Sequence, residues 1–259
     1  MTNFISASTP LQPAFIYASY PPGVNATGNL GSGGATDASA VLQADEASGW
    51  TFSSNGSNGQ IVVTYPSPAA LNCLALVGSG LTGATIGVFG SNDSGATWTQ
   101  LLPYTAAGND AVFWAQHTTG AYASFMYSFA GFAAGLTVKH IAGALLAPLP
   151  FLDDGACTGP LQAEGSHLIS YTGLYLGSVT QRVMRPFSLS FGQVTPVEKE
   201  LFDAVMAAGL QNARGLFFVP DTGLDEVHFG WIDKTYKYEP KLKVGLYELA
   251  AIPFTARAI

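Results

Sequence analysis

The stretch VFGSNDSGATWTQL, residues 88–101, decides the fold. Its centre, Asn92-Asp93-Ser94-Gly95, is a run of residues that accept tight backbone geometry. β-type runs flank it, ATIGVFG (84–90) and TWTQLL (97–102). The stretch therefore predicts a hairpin, with Trp98 closing over the core.

Moving outward, the same punctuation recurs. IVVTY (61–65), LNCLALVG (71–78) and AVFWAQ (111–116) are short β-type runs separated by Gly, Asn, Ser and Pro. Residues 121–138, AYASFMYSFAGFAAGLTV, carry no charge over a length close to that of a membrane span. Their pattern argues for strands instead. Phe125, Tyr127 and Phe129 alternate with Ser124, Met126 and Ser128, the period of two that suits a sheet. Gly131 and Gly135 break the run, so two buried strands joined by a turn are expected. Many short strands at this spacing predict a sandwich or barrel.

A turn-rich segment, Pro148 to Gly155, marks a boundary, giving an expected first domain of 1–150 and a second of 151–259. The second contains one convincing helix, expected over 195–209. Thr195 and Glu198 form a capping-box pattern, Pro196 suits the first turn, and Gly209 supplies the stop. Val197, Leu201, Phe202 and Val205 repeat at helical spacing. With strand-like runs at 186–192, 215–220, 227–232 and 242–254, this half reads as α+β.

Charge limits the partners. Charged residues are 10% of 259, against roughly 25% in an ordinary domain. Residues 1–150 hold five acids (Asp37, Asp45, Glu46, Asp93, Asp110) and one base, Lys139. Nucleic acid, which is bound by neutralising phosphates with Lys and Arg, is not the expected partner. So little charge fits a surface partly covered by neighbouring subunits. Cys73 and Cys157 give neither a disulfide framework nor metal spacing, and the N-terminus lacks a signal-peptide pattern. Folding in a reducing cytoplasm is expected.

The search for chemistry yields no catalytic residue, no metal site and no cofactor. Gly78-Ser79-Gly80-Leu81-Thr82-Gly83 matches a dinucleotide-binding pattern, but a β-branched run follows where a helix is needed. Ser166-His167 has no placed acid, and His117, His140, His167 and His228 are scattered. Asp153-Asp154 reads as a solvated turn. Asp221, Asp225 and Glu226 crowd one loop without the spacing of a calcium site. The chain reads as non-enzymatic.

ADEASGW (44–50), QIVVTY (60–65), LNCLALVG (71–78) and VFGSNDSGATWTQL (88–101) together resemble the discoidin, or galactose-binding-like, family. Ser91, Asp93, Gly95, Thr97 and Trp98 stand at the positions of that family's turn, although the Arg that relatives often carry in a late strand is missing from 123–127. The second half resembles minor tail and distal-tail proteins of tailed phages. The likeness lies in the order of Arg182 to Phe191, the Glu198–Phe202 helix, Gly215 to Asp221 and the closing Tyr247-Glu248-Leu249.

These resemblances imply a mainly β protein, a discoidin-like antiparallel β-sandwich followed by an α+β tail-type sandwich with one helix. They imply a structural role in a phage tail tip or baseplate within the virion. The chain would dock on other tail proteins in a homo-oligomeric ring, six-fold before three-fold. Arg182, Arg185, Lys234, Lys237, Lys241 and Lys243 are the expected assembly contacts. The alternative is a glycan-binding module that meets sugars on the host surface. Such a site wants an aromatic platform beside amides, which singles out Trp50 with Asn55 and Asn58, and then Trp114 with His117.

Overall fold

The computed structural model describes residues 14–16, 20, 22–30, 36–43, 49–56, 58–144, 146–148, 162–169, 175–211, 215–220, 226–232, 238–241 and 246–257. The protein is mainly β with a single helix among these residues. It divides into two compact units, Met1–Pro148 with Arg214–Val227, and Leu149–Ala213 with His228–Ile259.

The first unit contains β1 (Ala14–Ile16), β2 (Asn25–Leu30), β3 (Thr36–Asp37), β4 (Trp50–Thr51), β5 (Gly59–Ser79), β6 (Thr85–Ser91), β7 (Thr99–Ala106), β8 (Val112–Ala130), β9 (Thr137–Ala144) and β10 (Ala147–Pro148). A short 3-10 turn, Ser39–Leu42, precedes β4. The strands β3-β2-β5-β8-β6-β7 form one antiparallel sheet, with β9 on β5 and β4 on β9.

Two long strands give this sheet its shape. The runs read from sequence as separate strands, 61–65 with 71–78 and 111–116 with 121–130, are continuous in β5 and β8. The ladder skips at Pro66-Ser67-Pro68, where the β5–β8 register shifts between Thr64 and Ala69. Proline lacks the N–H that a ladder needs, and these three residues are exposed. On one side of the break β5 pairs with β2, and on the other with β9.

The sheet folds over on itself. A Cβ added at Gly143 of β9 would lie 2.4 Å from the Tyr127 hydroxyl of β8, so the two halves face each other across the core. The alternation anticipated at 125–129 holds, since Phe125, Tyr127 and Phe129 are buried in one hydrophobic cluster with Ile61, Val63, Leu74, Leu76, Ile86 and Val88.

The hairpin turn forms, but Trp98 lies elsewhere than expected. Ser94 and Gly95 take positive φ of 58° and 86°. Asp93 Oδ1 accepts the Thr97 N–H at 2.9 Å, and Ser91 Oγ accepts the Gly95 N–H at 3.0 Å. Asn92 Oδ1 accepts the Ala123 N–H at 2.8 Å and ties the turn to β8. Trp98 is half-buried on its own turn, 3.1 Å from where a Cβ of Gly95 would stand, and it is not part of the core cluster. The Asp93–Thr97 bonds close the turn locally and leave the indole there.

Gly78 to Gly83 is the loop between β5 and β6, with Gly80 and Gly83 at positive φ and a strand following. The charge-free 121–138 stretch supplies the end of β8 and the start of β9, and no helix among the described residues is long and apolar enough to cross a membrane.

The second unit contains β11 (Gln162–Ile169), β12 (Tyr175–Val194), α1 (Pro196–Gln211), β14 (His228–Ile232), β15 (Tyr238–Lys241) and β16 (Leu246–Arg257). β13 (Leu216–Val219) lies between α1 and β14 in the chain but belongs to the first unit. The sequence reading assigns 215–220 to the second half. In the fold, Phe217 and Phe218 pair with Ile16 and Phe15 of β1. In the second unit β16 pairs with β12, β14 and β15, and β11 pairs with β12.

The helix begins as its sequence predicts. Glu198 Oε2 accepts the Thr195 N–H at 2.7 Å, and Thr195 Oγ1 accepts the Glu198 N–H at 3.3 Å, a complete capping box. Phe202 is fully buried with its ring 4.9 Å from Phe191 of β12. The helix runs two residues past the expected stop at Gly209. An interior glycine costs only about 1 kcal/mol, so packing overrides it. Thr195→Ala is expected to destabilise the second unit by about 1 kcal/mol through loss of the cap. A thermal melt of the full chain in which no transition moves would show that the cap contributes nothing.

Candidate functional site

The candidate residues nearest the start of the sandwich surround Trp50. β4 sets Trp50 opposite Val138 of β9. Its indole lies on Gly28 of β2, where an added Cβ would come within 2.4 Å of the ring. It meets Phe52 edge-on at 4.4 Å, and Nε1 donates to Thr36 Oγ1 at 3.3 Å. Phe52 in turn packs on Phe129 and Phe132. Trp50 is thus half-buried and closes one end of the core.

The loop that follows is laced to the β8–β9 turn. Asn55 Oδ1 accepts the Ala134 N–H at 2.6 Å, and the Phe132 carbonyl accepts the Gly56 N–H at 3.3 Å. Asn55 and Asn58 are exposed beside it. The Thr51 and Thr137 hydroxyls bond at 2.8 Å.

Trp114 and His117 lie elsewhere. Val138 faces Gly78 on β5, whereas Gln116, next to His117, faces Cys73. Five residues along a strand amount to about 16 Å. Trp114 is only 8% exposed, so it presents no platform. It shares the outer side of this half of the sheet with Ala75 and Val77, which are fully buried. On the same half, His140 donates from Nδ1 to the Val41 carbonyl at 3.1 Å and stacks on Phe217 at 6.0 Å. His117 is half-buried, and burial pushes its pKa below the ordinary imidazole value. Burial also raises the Cys73 thiol to about 12, leaving it un-ionised.

The expected assembly residues are dispersed. Arg182 sits in β12 at the register position facing Glu164, and Arg185, half-buried, faces Ala256. Lys241 ends β15. Lys234, Lys237 and Lys243, with Asp153, Asp154, Asp221 and Asp225, lie outside the described residues. Among the described residues no group of three His, Cys, Asp or Glu could hold a metal.

Asp37, Asp93 and Asp110 of the sandwich are each engaged by loop or turn groups, the first two in their own turns and Asp110 in the β5–β6 loop. Asp37 Oδ1 accepts the Ser39 N–H at 2.8 Å. Asp110 Oδ1 accepts the Thr82 N–H at 3.3 Å. Asp93 accepts from Ser91 and Thr97. These bonds favour the charged form and hold all three carboxyls below their ordinary range, Asp93 at about 2. None is poised to carry a proton near neutral pH.

Asp93 has a folded pKa below the ordinary 3.8, so its stabilising contribution is full above that value and disappears as pH falls toward about 2. The melting temperatures of wild type and Asp93→Asn should therefore differ at pH 6 and converge near pH 2. A gap that stays constant across this range would detach the carboxylate charge from the turn.

The sequence reading missed one exposed aromatic. Tyr104 of β7 is 44% exposed, more open than Trp50 or Trp114. Only half of the signal lay in the sequence: Val88 alternates inward on β6, which turns Phe89 outward, but that Tyr104 meets Phe89 follows from strand pairing alone.

No known family profile matches the sequence, and neither does any curated protein. Among solved structures the chain is similar to chitosan-binding module 1 of a chitosanase/glucanase from Paenibacillus sp. IK-5. The identity is 18%, over 45% of this chain and 91% of that one, with a TM-score of 0.39. It is similar also to a carbohydrate-binding module of Clostridium perfringens, CpGH89CBM32-6, at 13% identity over 47% and 94%, TM-score 0.38. A pectin-binding module matches at 16% identity over 49% and 91%, TM-score 0.37. Scores at this level leave ligand and activity open.

Proposed function

We propose that the first unit is a non-catalytic module that binds neutral carbohydrate. The observation that carries this reading is the engagement of Asp37, Asp93 and Asp110 by hydrogen bonds from turns and loops of the sandwich. Among the described residues of the sandwich, Lys139 aside, what remains for a ligand is aromatic, amide and hydroxyl surface, the chemistry that recognises uncharged sugars. Affinity per subunit is expected to be weak and to become useful through multivalent display. Incubating the full chain with insoluble neutral polysaccharides such as cellulose and chitin tests this. Depletion of the protein from solution is expected for at least one of them, and none from any would count against the reading.

A second reading concerns the second unit, as an assembly domain of a phage tail. What supports it is the order of elements along the chain, the Arg-containing strand β12, the capped helix α1 and the closing strand β16. A ring needs head-to-tail contacts that close. Cryo-electron microscopy of a virion carrying the protein should find it in the tail around the symmetry axis. Density in the capsid shell would rule this reading out.

A further inference from the structure

We infer that the outward face of β2, β5, β8, β6 and β7 is the binding surface for an extended neutral polysaccharide, with Tyr104 and Phe89 as its aromatic platform. This rests on the carbohydrate reading of the first unit and gives it a place away from Trp50.

Strand register defines the face. Ile61, Val63, Phe125, Tyr127, Ile86 and Val88 point into the core. Their neighbours therefore point outward on each strand. Asn29 of β2 faces Gln60 of β5, which faces Ser128 of β8, which faces Gly87 of β6. One step along, Val62 faces Met126, which faces Phe89. Ser128 and Met126 at the centre of these rows are buried, at 2% and 9% exposed, so the accessible part is Gln60 and Val62 on β5 and the aromatic pair on the β6–β7 edge.

The platform is held in place before any ligand arrives. The Tyr104 hydroxyl bonds to Ser128 Oγ at 2.7 Å. Its ring meets Phe89 in a T-shape at 6.1 Å. Gly87 beneath leaves room for both, since a Cβ there would stand 3.2 Å from Phe89 and 3.4 Å from Tyr104. A surface tyrosine fixed at both ends of its side chain loses little freedom on binding, which favours affinity. An aromatic face next to the Gln60 amide and the Tyr104 hydroxyl matches a sugar ring, apolar on its C–H face and hydroxylated at its edge.

The charge pattern selects the occupant. These rows hold no acidic or basic residue, so they offer a polyanion no counter-charge and a polycation no carboxylate. Five strands at about 4.8 Å spacing span about 19 Å, room for several linked sugars rather than one.

The test is electrophoresis of the full chain through native gels containing soluble neutral polysaccharides: a mixed-linkage β-glucan, a galactomannan and a dextran. Wild type should be retarded by at least one. Tyr104→Ala should weaken that retardation about tenfold or more, as for the aromatic anchor of a binding site. Tyr104→Phe keeps the ring and should stay near wild type, and circular dichroism should show both variants folded. Retardation of wild type and folded Tyr104→Ala alike would overturn this face while leaving the carbohydrate reading intact. No retardation of wild type in any gel would overturn both. Sedimentation showing a wild-type dimer that Tyr104→Ala dissociates would also overturn it, by giving the face to a second copy of the chain.

Discussion

Phe52→Ala is expected to destabilise the first unit by about 3–5 kcal/mol, the usual cost of removing a buried phenylalanine ring. Phe52 is fully buried and its ring meets three others, Trp50 at 4.4 Å, Phe129 at 5.3 Å and Phe132 at 4.7 Å. Its backbone also bonds to the β8–β9 turn, accepting from Gly135 and donating to Leu136. The cavity left by alanine cannot collapse easily because Gly59 and Gly28 already let the neighbouring rings sit as close as they can. Thermal denaturation of the full chain should show the first unit melting far earlier, with the second unit's transition unmoved. A shift equivalent to less than about 1 kcal/mol would mean that these rings are not one packed cluster.

Gly78→Ala is expected to cost about 1–3 kcal/mol for a different reason, overpacking against backbone. A Cβ at Gly78 would stand 2.4 Å from the Thr137 carbonyl oxygen, and a main-chain atom in a paired strand cannot swing aside. This is the point where the β5–β9 register shifts, between Val77 and Gly78. Gly83→Ala is the contrasting control. Gly83 has positive φ, at 84°, as Gly78 does not, and nothing lies within 4 Å of an added Cβ. It should therefore show only the backbone cost, about 1 kcal/mol. Equal losses at the two sites would remove the steric argument.

What the sequence made legible was local. The Asn92–Gly95 turn was readable because Asp93, Ser91 and the left-handed Gly95 satisfy it without help from distant residues. The capping box at Thr195 and Glu198 was readable for the same reason. The alternation at 125–129 marked an inward face correctly because one side of β8 is core.

What failed needed long-range information. Pro66-Ser67-Pro68 has the composition of a turn, yet the ladder resumes beyond it, because on β8 only Ala123 separates the partners of Thr64 and Ala69 and the extra residues bulge from β5 alone. Trp114 alternates outward with Phe113 and reads as exposed, but that outer side is itself buried. β13 pairs with β1, about two hundred residues earlier in the chain, a partner that its own sequence gives no means of naming. The ligand set chosen by residue type was consequently split between two regions of the sandwich. Tyr104 was overlooked because its value lies in Phe89 and Ser128, which only the register brings beside it.

Uncharged sugar is the ligand proposed for the first unit. A glycan array probed with the full chain, multimerised on beads so that weak sites count together, measures this directly. Signal on neutral oligosaccharides, with little on sulfated or sialylated ones, is the predicted result. Signal confined to charged glycans, or none at all from a folded multimer, would contradict it.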